Sequence, residues 1–405
     1  MEQKNLTEKC NQFLDETMNL NDLPGLAIGV SVGGMRGDGA DQPVEFIGVR
    51  GYRDYFACVP LREDDIFHCA SVSKLFTSSA IMKLVEAGAL HLEDKLCDLL
   101  PDLHIADQRF REIRLWNMLT HTSGLGDVAD YHWYDFETDE GSLRRYVYES
   151  AEVLDQPMLW EPQESPKPQD AKASRFRYSN VAYEILGQIV AEYSDRMPDA
   201  DGKLSYEDFV TRYLLEPAGM ADSTMKTFER PGAPDFVSNG RMAQPYEKKA
   251  DRSIGPVEYY PYTRQHAPSS TLTSTVSNLL RWGRVHLASA RGDGPLLKPE
   301  TYQTIWRDYA IVPNNGEKMG IGWFMREQKV TDRNTADNIT GSVEEADTSL
   351  TFRLFGHEGT DDGFRASFWI CPKLDLVTVV LSNLSGAPVK RINKKLFTAI
   401  APYGV

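Results

Sequence analysis

Ser71-Val-Ser-Lys74 follows the extended stretch Phe67-His-Cys-Ala and opens a helical run. Residues i and i+3 share one face of a helix, so the Lys74 amine lies beside the Ser71 hydroxyl. A serine hydroxyl attacks a carbonyl only when a neighbouring base takes its proton. A lysine is that base once burial or nearby cations leave it neutral, and the apolar Val72, Leu75 and Phe76 supply such burial. The helix N-terminus adds a positive field where an oxyanion would form. By itself S-x-x-K is a weak signal, since motif matches carry false positives. It recurs as Ser223-Thr-Met-Lys226, with nothing around it that suggests a site.

Two further groups carry chemistry. Arg177-Tyr178-Ser179-Asn180 precedes the helical run VAYEILGQIVAEY. A tyrosine near a lysine loses its proton more readily than a free phenol, which makes Tyr178 a candidate general base or acid. Asn180 offers a donor and an acceptor to a substrate amide or ester. Ser179 or Asn180 also fits a plain helix cap, and a cap can sit in a site. In Phe355-Gly-His357-Glu-Gly359-Thr360, at the end of a β-rich stretch, Gly359 lets a substrate approach the backbone closely. The N–H groups of Thr360 and Ser71 together would form an oxyanion hole. Taken alone, His357 reads best as a hydrogen-bonded histidine at a strand end.

Several patterns are set aside. Gly29-Val-Ser31-Val-Gly33 matches a nucleophile elbow, but Gly-Met-Arg-Gly-Asp-Gly follows where that elbow needs a helix. A calcium loop around Asp199-Ala-Asp201-Gly202 would place Met197 first and Asp208 twelfth, which calcium disfavours. The histidines lack ligand spacing, so no metal and no cofactor are expected. His121 is expected to hold local backbone. Tyr131-His-Trp-Tyr134 fits a cleft wall and a packed loop equally.

The elements that must position these groups follow from pattern. The N-terminus reads as an amphipathic helix, and Leu26–Val32 and Val44–Tyr52 as a hairpin joined by the turn GGMRGDG. A helix over Ser71–Ala87 stops at Gly88. Gly320–Phe324, Leu350–Phe355, Phe364–Cys371 and Leu376–Leu381 are β-rich, and Val389–Ile400 closes the chain as a helix. EPQESPKPQDAKAS reads as a loop, and DRNTADNITGSVEEADTS as an exposed connection between strands. An α+β fold is expected, with an antiparallel sheet flanked by helices and an inserted, mostly helical lobe. The α/β lobe would combine residues 1–95 and 283–405, and the helical lobe residues 96–282, in a single two-lobed catalytic unit.

All 405 residues are consistent with globular packing: 41% are hydrophobic and 25% charged. The formal net charge of −15 argues against nucleic-acid or anionic-membrane partners, whose phosphates need basic patches. A small-molecule ester, amide or peptide-like substrate is expected instead. Five scattered cysteines without C-x-x-C argue against a disulfide framework or a zinc site. No signal peptide is evident and no apolar run approaches the ~18 residues of a membrane span. A cytoplasmic location is expected.

The three groups occur in the order found in the serine β-lactamase and penicillin-recognising superfamily, and the chain most resembles its class C-related branch of esterases and D-amino-acid peptidases. Leu119-Thr-His-Thr-Ser-Gly-Leu125, Glu216-Pro-Ala-Gly-Met220, Ser269 to Trp282 and Gly320-Ile-Gly-Trp323 extend the resemblance from about Leu23 to Asn383. It implies an acylated Ser71, a proton-accepting Lys74, a proton-shuttling Tyr178 and a substrate-orienting Asn180. It further implies an oxyanion hole at Ser71 and Thr360, and a serine hydrolase acting through an acyl-enzyme. A penicillin-binding sensor that is acylated and turns over slowly, or an acyltransferase, would share every motif. The departure is His357, which stands where the family usually has the lysine of K-[ST]-G. A histidine is only partly charged near neutral pH, so carboxylate recognition weakens and an esterase, amidase or aminopeptidase-like enzyme is favoured. Arg365 could restore a positive charge.

Overall fold

The computed structural model describes residues 3–33, 43–131, 133, 139–167, 175–226, 240–331 and 349–401. Most of the GGMRGDG turn, His132, Tyr134, the second half of EPQESPKPQDAKAS and nearly all of DRNTADNITGSVEEADTS lie outside them.

Helix α1 (Gln3–Asn21) leads into β1 (Gly25–Val32), β2 (Val44–Asp54) and β3 (Val59–Pro60). The short strand β4 (Phe67–His68) precedes helix α2 (Ser73–Glu86). A hairpin of β5 (Tyr246–Lys248) and β6 (Ile254–Pro256), then β7 (Thr273–Ser274), follow the mainly helical middle of the chain. The remaining strands are β8 (Ala310–Ile311), β9 (Lys318–Met319), β10 (Phe324–Thr331), β11 (Ser349–Asp361), β12 (Phe364–Cys371) and β13 (Leu376–Ser382). They join β1 to β3 in a nine-stranded antiparallel sheet of order β3-β2-β1-β13-β12-β11-β10-β9-β8. Both ends of the chain therefore build one sheet, as the α+β reading requires.

The central strands are buried on both faces, and their period of two divides them between two cores. Leu26, Ile28 and Val30 of β1 and Leu376 and Val380 of β13 pack under α1 and the C-terminal helix Val389–Ile400. Ala27, Val377, Val379 and Leu381 face the other side, toward α2 and the helix Val276–Arg291. There the rings of Phe76 and Trp282 stack 4.0 Å apart.

Two expected elements differ. Gly320–Trp323 is a turn between β9 and β10, closed by Gly320 N–H donating to the Trp323 carbonyl at 2.8 Å. Strand β11 runs on to Asp361, so His357 and Gly359 sit inside the strand rather than at its end. Other expectations hold: Gly88 ends α2 with φ +73°. Ser31 lies in β1, hydrogen-bonded to Glu45 at 2.8 Å. All five cysteines are free thiols. Among the described residues no helix is long and apolar enough to cross a membrane.

Candidate active site

Strand β4 pairs with β7, and Cys69 N–H donates to the Leu272 carbonyl at 2.8 Å. The chain then turns through Ala70, whose φ of +49° lies in the left-handed region. A non-glycine residue there costs about 1–2 kcal/mol and persists only where its surroundings fix it. The fixing contacts are the Ser73 hydroxyl donating to the Ala70 carbonyl at 2.7 Å and accepting from Leu272 N–H at 2.8 Å. Ser71 consequently sits in a 3-10 turn, Ala70–Val72, and α2 begins at Ser73 rather than at Ser71.

The i,i+3 relation survives that change. Lys74 Nζ lies 3.0 Å from Ser71 Oγ, 2.6 Å from Asn180 Oδ1 and 2.8 Å from the Ser269 carbonyl. Lys74 is fully buried, and burial pushes its amine down to about 8 against the opposing pull of Glu184, Asp127 and Asp361. Near neutral pH a usable fraction is therefore the free base.

Asn180 begins the helix Asn180–Tyr193, which Ser179 caps by accepting from Ala182 N–H at 3.1 Å. The Asn180 backbone N–H and Nδ2 both donate to Asp127 Oδ1 at 2.8 Å, which turns its carbonyl oxygen toward Lys74. Its acceptor is thus spent on the lysine, and one Nδ2 hydrogen is left for a substrate. His121 holds backbone as expected: its Nδ1 accepts from Ser179 N–H at 3.1 Å.

Tyr178 reaches the same point. Its ring is 4.9 Å from Lys74 Nζ and its hydroxyl is hydrogen-bonded to Ser71. Although the ring is partly open to the cleft, the atoms packed around the hydroxyl push it well above the ordinary phenol range. The expectation that Lys74 loosens the Tyr178 proton is therefore corrected: burial outweighs the nearby amine, and the free protein holds a neutral phenol.

His357 differs from expectation too. It is 2% exposed, and burial pushes it down to about 3, so it is neutral rather than partly charged at neutral pH. Its Nδ1 lies 2.6 Å from the Glu358 carbonyl, which makes Nδ1 the protonated nitrogen and leaves Nε2 an acceptor with no partner among the described residues. Arg365 does not replace the missing cation: its Nη1 donates to the carbonyls of Asp361 and Phe364 at 2.6 and 2.7 Å. Gly359 is needed for a reason the sequence did not suggest. A Cβ there would stand 2.2 Å from the Cys69 carbonyl, so β11 presses directly against the segment that carries Ser71.

Ser71, Tyr178, Asn180, His357 and Thr360 line one cleft of about 460 Å³, with Tyr131 as part of its wall. The second S-x-x-K is not a dyad. Lys226 pairs with Asp208 at 2.6 Å, and Ser223 bonds Ser274 and Asn278. Among the described residues no group of three or more metal-ligating side chains comes together.

Sequence reading missed the carboxylates behind the lysine. Glu184 Oε1 accepts from the Ser269 hydroxyl at 2.5 Å and lies 3.0 Å from His266 Nδ1. Asp361 lies 2.7 Å from His68 Nε2 and 2.5 Å from the Ser270 hydroxyl. Glu184 was within reach of inference, since it stands four residues after Asn180 on the same helix face. Asp127 and Asp361 are brought in by loop and strand geometry with no comparable signal.

Glu184 is the largest charge opposing the downward shift of Lys74. Without it the ammonium is less favoured and the Lys74 pKa falls. Glu184→Gln should therefore move the acid limb of a kcat/KM profile, expected near pH 8 in the wild type, to lower pH. A limb that stays in place or moves up would remove Glu184 from this charge balance. Asp127, Asp361, His121, His357 and Tyr178 face the same amine and remain unchanged in the variant.

A large antiparallel sheet with helices on both faces, and a Ser–Lys pair held against its strand β11, is the architecture of β-lactamase/transpeptidase-like proteins. The chain belongs to the beta-lactamase family, whose model matches residues 11–401. Penicillin-binding protein 4* of Bacillus subtilis (strain 168) is 24% identical over 286 residues, 68% of this chain and 56% of that protein. The chain spans little more than half the length of the first curated relatives it matches. A class C beta lactamase from Rhodobacter sphaeroides superposes with a TM-score of 0.67 at 21% identity, covering 98% of this chain and 100% of the other. D-amino acid amidase from Ochrobactrum anthropi SV3, complexed with L-phenylalanine amide, gives 0.70 at 19% identity, covering 99% of this chain and 100% of the other. At these identities the superpositions establish the fold alone.

Proposed function

We propose that this protein hydrolyses a carboxylic ester or amide through a covalent acyl-Ser71 intermediate. The observation that carries the reading is the 3.0 Å contact between Ser71 Oγ and a fully buried Lys74 whose amine is lowered to about 8. Ser71 Oγ adds to the substrate carbonyl carbon while its proton passes to Lys74 Nζ. The bond to the leaving group then breaks, and that group takes a proton by way of the Tyr178 hydroxyl. Water adds to the acyl carbon with the same groups in reverse, releasing the acid and restoring Ser71. The neutral His357 favours substrates without a carboxylate beside the scissile bond, because no fixed cation stands on β11 at that point. The amidase among the structural neighbours supports amides as well as esters.

The test is mass spectrometry of the protein quenched during reaction with a short-chain p-nitrophenyl ester, alongside steady-state rates on that ester and on a chromogenic cephalosporin. The expected result is an acyl adduct on the Ser71 peptide, sustained ester turnover and little cephalosporin cleavage. One equivalent of product followed by a stall would mark a slowly deacylating acceptor. Faster product release on adding an alcohol or amine would mark a transferase. No adduct on Ser71 under turnover ends the reading.

A further inference from the structure

The catalytic cleft does not end at His357. Past the Glu317–Lys390 ion pair, 2.7 Å long, it meets a second cavity of about 500 Å³, and Asn315, Glu317 and Lys390 line both. This cavity wraps the edge of β10 where β9 stops pairing with it, under the C-terminal helix. Five cations line it, Lys318, Arg326, Arg353, Lys390 and Lys394, in a chain whose formal net charge is −15.

Their pairing leaves a local excess. Lys318 and Arg353 share a single carboxylate, Asp308. Lys390 is matched by Glu317, and Arg326 faces Glu358 at 3.7 Å, outside hydrogen-bonding distance. Glu327 stands exposed at the lining. Lys394 has no carboxylate partner among the described residues, so five cations stand against four carboxylates. Arg326 is the second observation. It is 4% exposed and its guanidinium lies 3.9 Å over the Trp369 ring. Nη2 reaches Asn393 Oδ1 at 3.3 Å, while among the described residues Nε and Nη1 have no hydrogen-bond partner. Buried guanidinium donors left unpaired are costly, and an anion in the cavity would satisfy them. Lys394 lies in the same field: burial lowers its amine first, Arg326 and Lys390 lower it further, and Glu317 and Glu358 oppose them.

The geometry points to an anion subsite formed by Arg326, Lys390 and Lys394 that takes a carboxylate carried on the distal end of the substrate, separated from the scissile bond by an apolar spacer. An excess of one positive charge suits a monoanion, and Arg326 offers unpaired charged N–H donors to a carboxylate oxygen. The spacer follows from Phe324 and Val312, apolar side chains that line the cleft together with Ser71 and Lys390. The neutral His357 and this subsite are complementary, since charge is read at a distance from the reacting carbon rather than beside it. The proposal rests on the hydrolytic reading for its substrate and on the cavity alone for its anion.

The experiment compares p-nitrophenyl monoesters of straight-chain dicarboxylic acids of increasing length with methyl-terminated esters of matched length. In the wild type the ratio of kcat/KM, anionic over neutral, should peak at one spacer length and fall as salt rises. Lys394→Met should lower that peak ratio about tenfold, the loss of one charge-assisted contact. Lys390→Met should lower it as well. Lys203→Met is the control, because its ammonium pairs with Glu192 elsewhere and the variant removes the same charge. A ratio that Lys394→Met leaves alone, or that Lys203→Met lowers equally, overturns the subsite. If no ester is cleaved at all, the hydrolytic reading fails separately, and glutarate decides the matter on Ser71→Ala protein. A rise in Tm with glutarate that is lost in Ser71→Ala/Lys394→Met supports the subsite; no rise overturns it.

Discussion

Ser71→Ala should reduce turnover of a short-chain p-nitrophenyl ester by about 10⁴-fold or more in kcat, leaving only what binding and backbone donors supply. No described hydroxyl replaces it: Lys74 Nζ would keep Asn180 Oδ1 and the Ser269 carbonyl as partners, neither of which is a nucleophile. For the same reason the variant should stay folded. Ser71 is partly exposed at the cleft, and removal of one hydroxyl that faces a lysine with two other acceptors should change stability by no more than about 0.5–1 kcal/mol. Steady-state kinetics beside a thermal melt separates the two effects. A variant that melts like the wild type and is inactive locates the chemistry at Ser71. Full activity on the same ester would exclude an acyl-Ser71 path whatever the geometry suggests.

The parts of this site legible in the sequence are those encoded by local spacing. Ser71 and Lys74 are three residues apart on one turn, and Ser179 caps the helix whose first residue is Asn180, so both pairs follow from helical geometry alone. The sheet was legible for a similar reason: β13 reads LVTVVLS and is buried throughout, as a strand between two cores must be. The protonation states were not legible. His357 and Tyr178 both carry reference values that suggest titration near a lysine, yet each is displaced away from its charged form by atoms contributed from distant segments. Gly359 shows the same limit in steric form, because the contact it permits is with Cys69, 290 positions earlier. The carboxylates behind Lys74 come from a loop, a helix and a strand, and such convergence is a property of the fold.

Lys74→Met is the sharper test, since it couples a loss of activity to a stability difference that changes with pH. Activity should fall about 10³-fold, within the range for loss of a general base, because Tyr178 is held as a neutral phenol and no other described base touches Ser71. Stability depends on pH in a direction that follows from the lowered amine. Below about pH 8 Lys74 is protonated in both folded and unfolded chains, but the folded protein carries that charge in a buried site. A displacement from an unfolded value of about 10.4 corresponds to a cost of up to about 3 kcal/mol. Between about pH 8 and 10.4 the unfolded chain binds more protons than the folded one, so the cost fades and the wild type gains stability as pH rises. Methionine has nearly the same shape and no charge, so it removes this slope; it also strands Asn180 Oδ1 and the Ser269 carbonyl, which costs about 1–3 kcal/mol at any pH. The variant should therefore compare best with the wild type at pH 6.5 and worst above pH 10, as read from urea melts at both ends. A stability difference that does not change with pH would mean that Lys74 is not displaced, and the free-base role assigned to it would fall with that result.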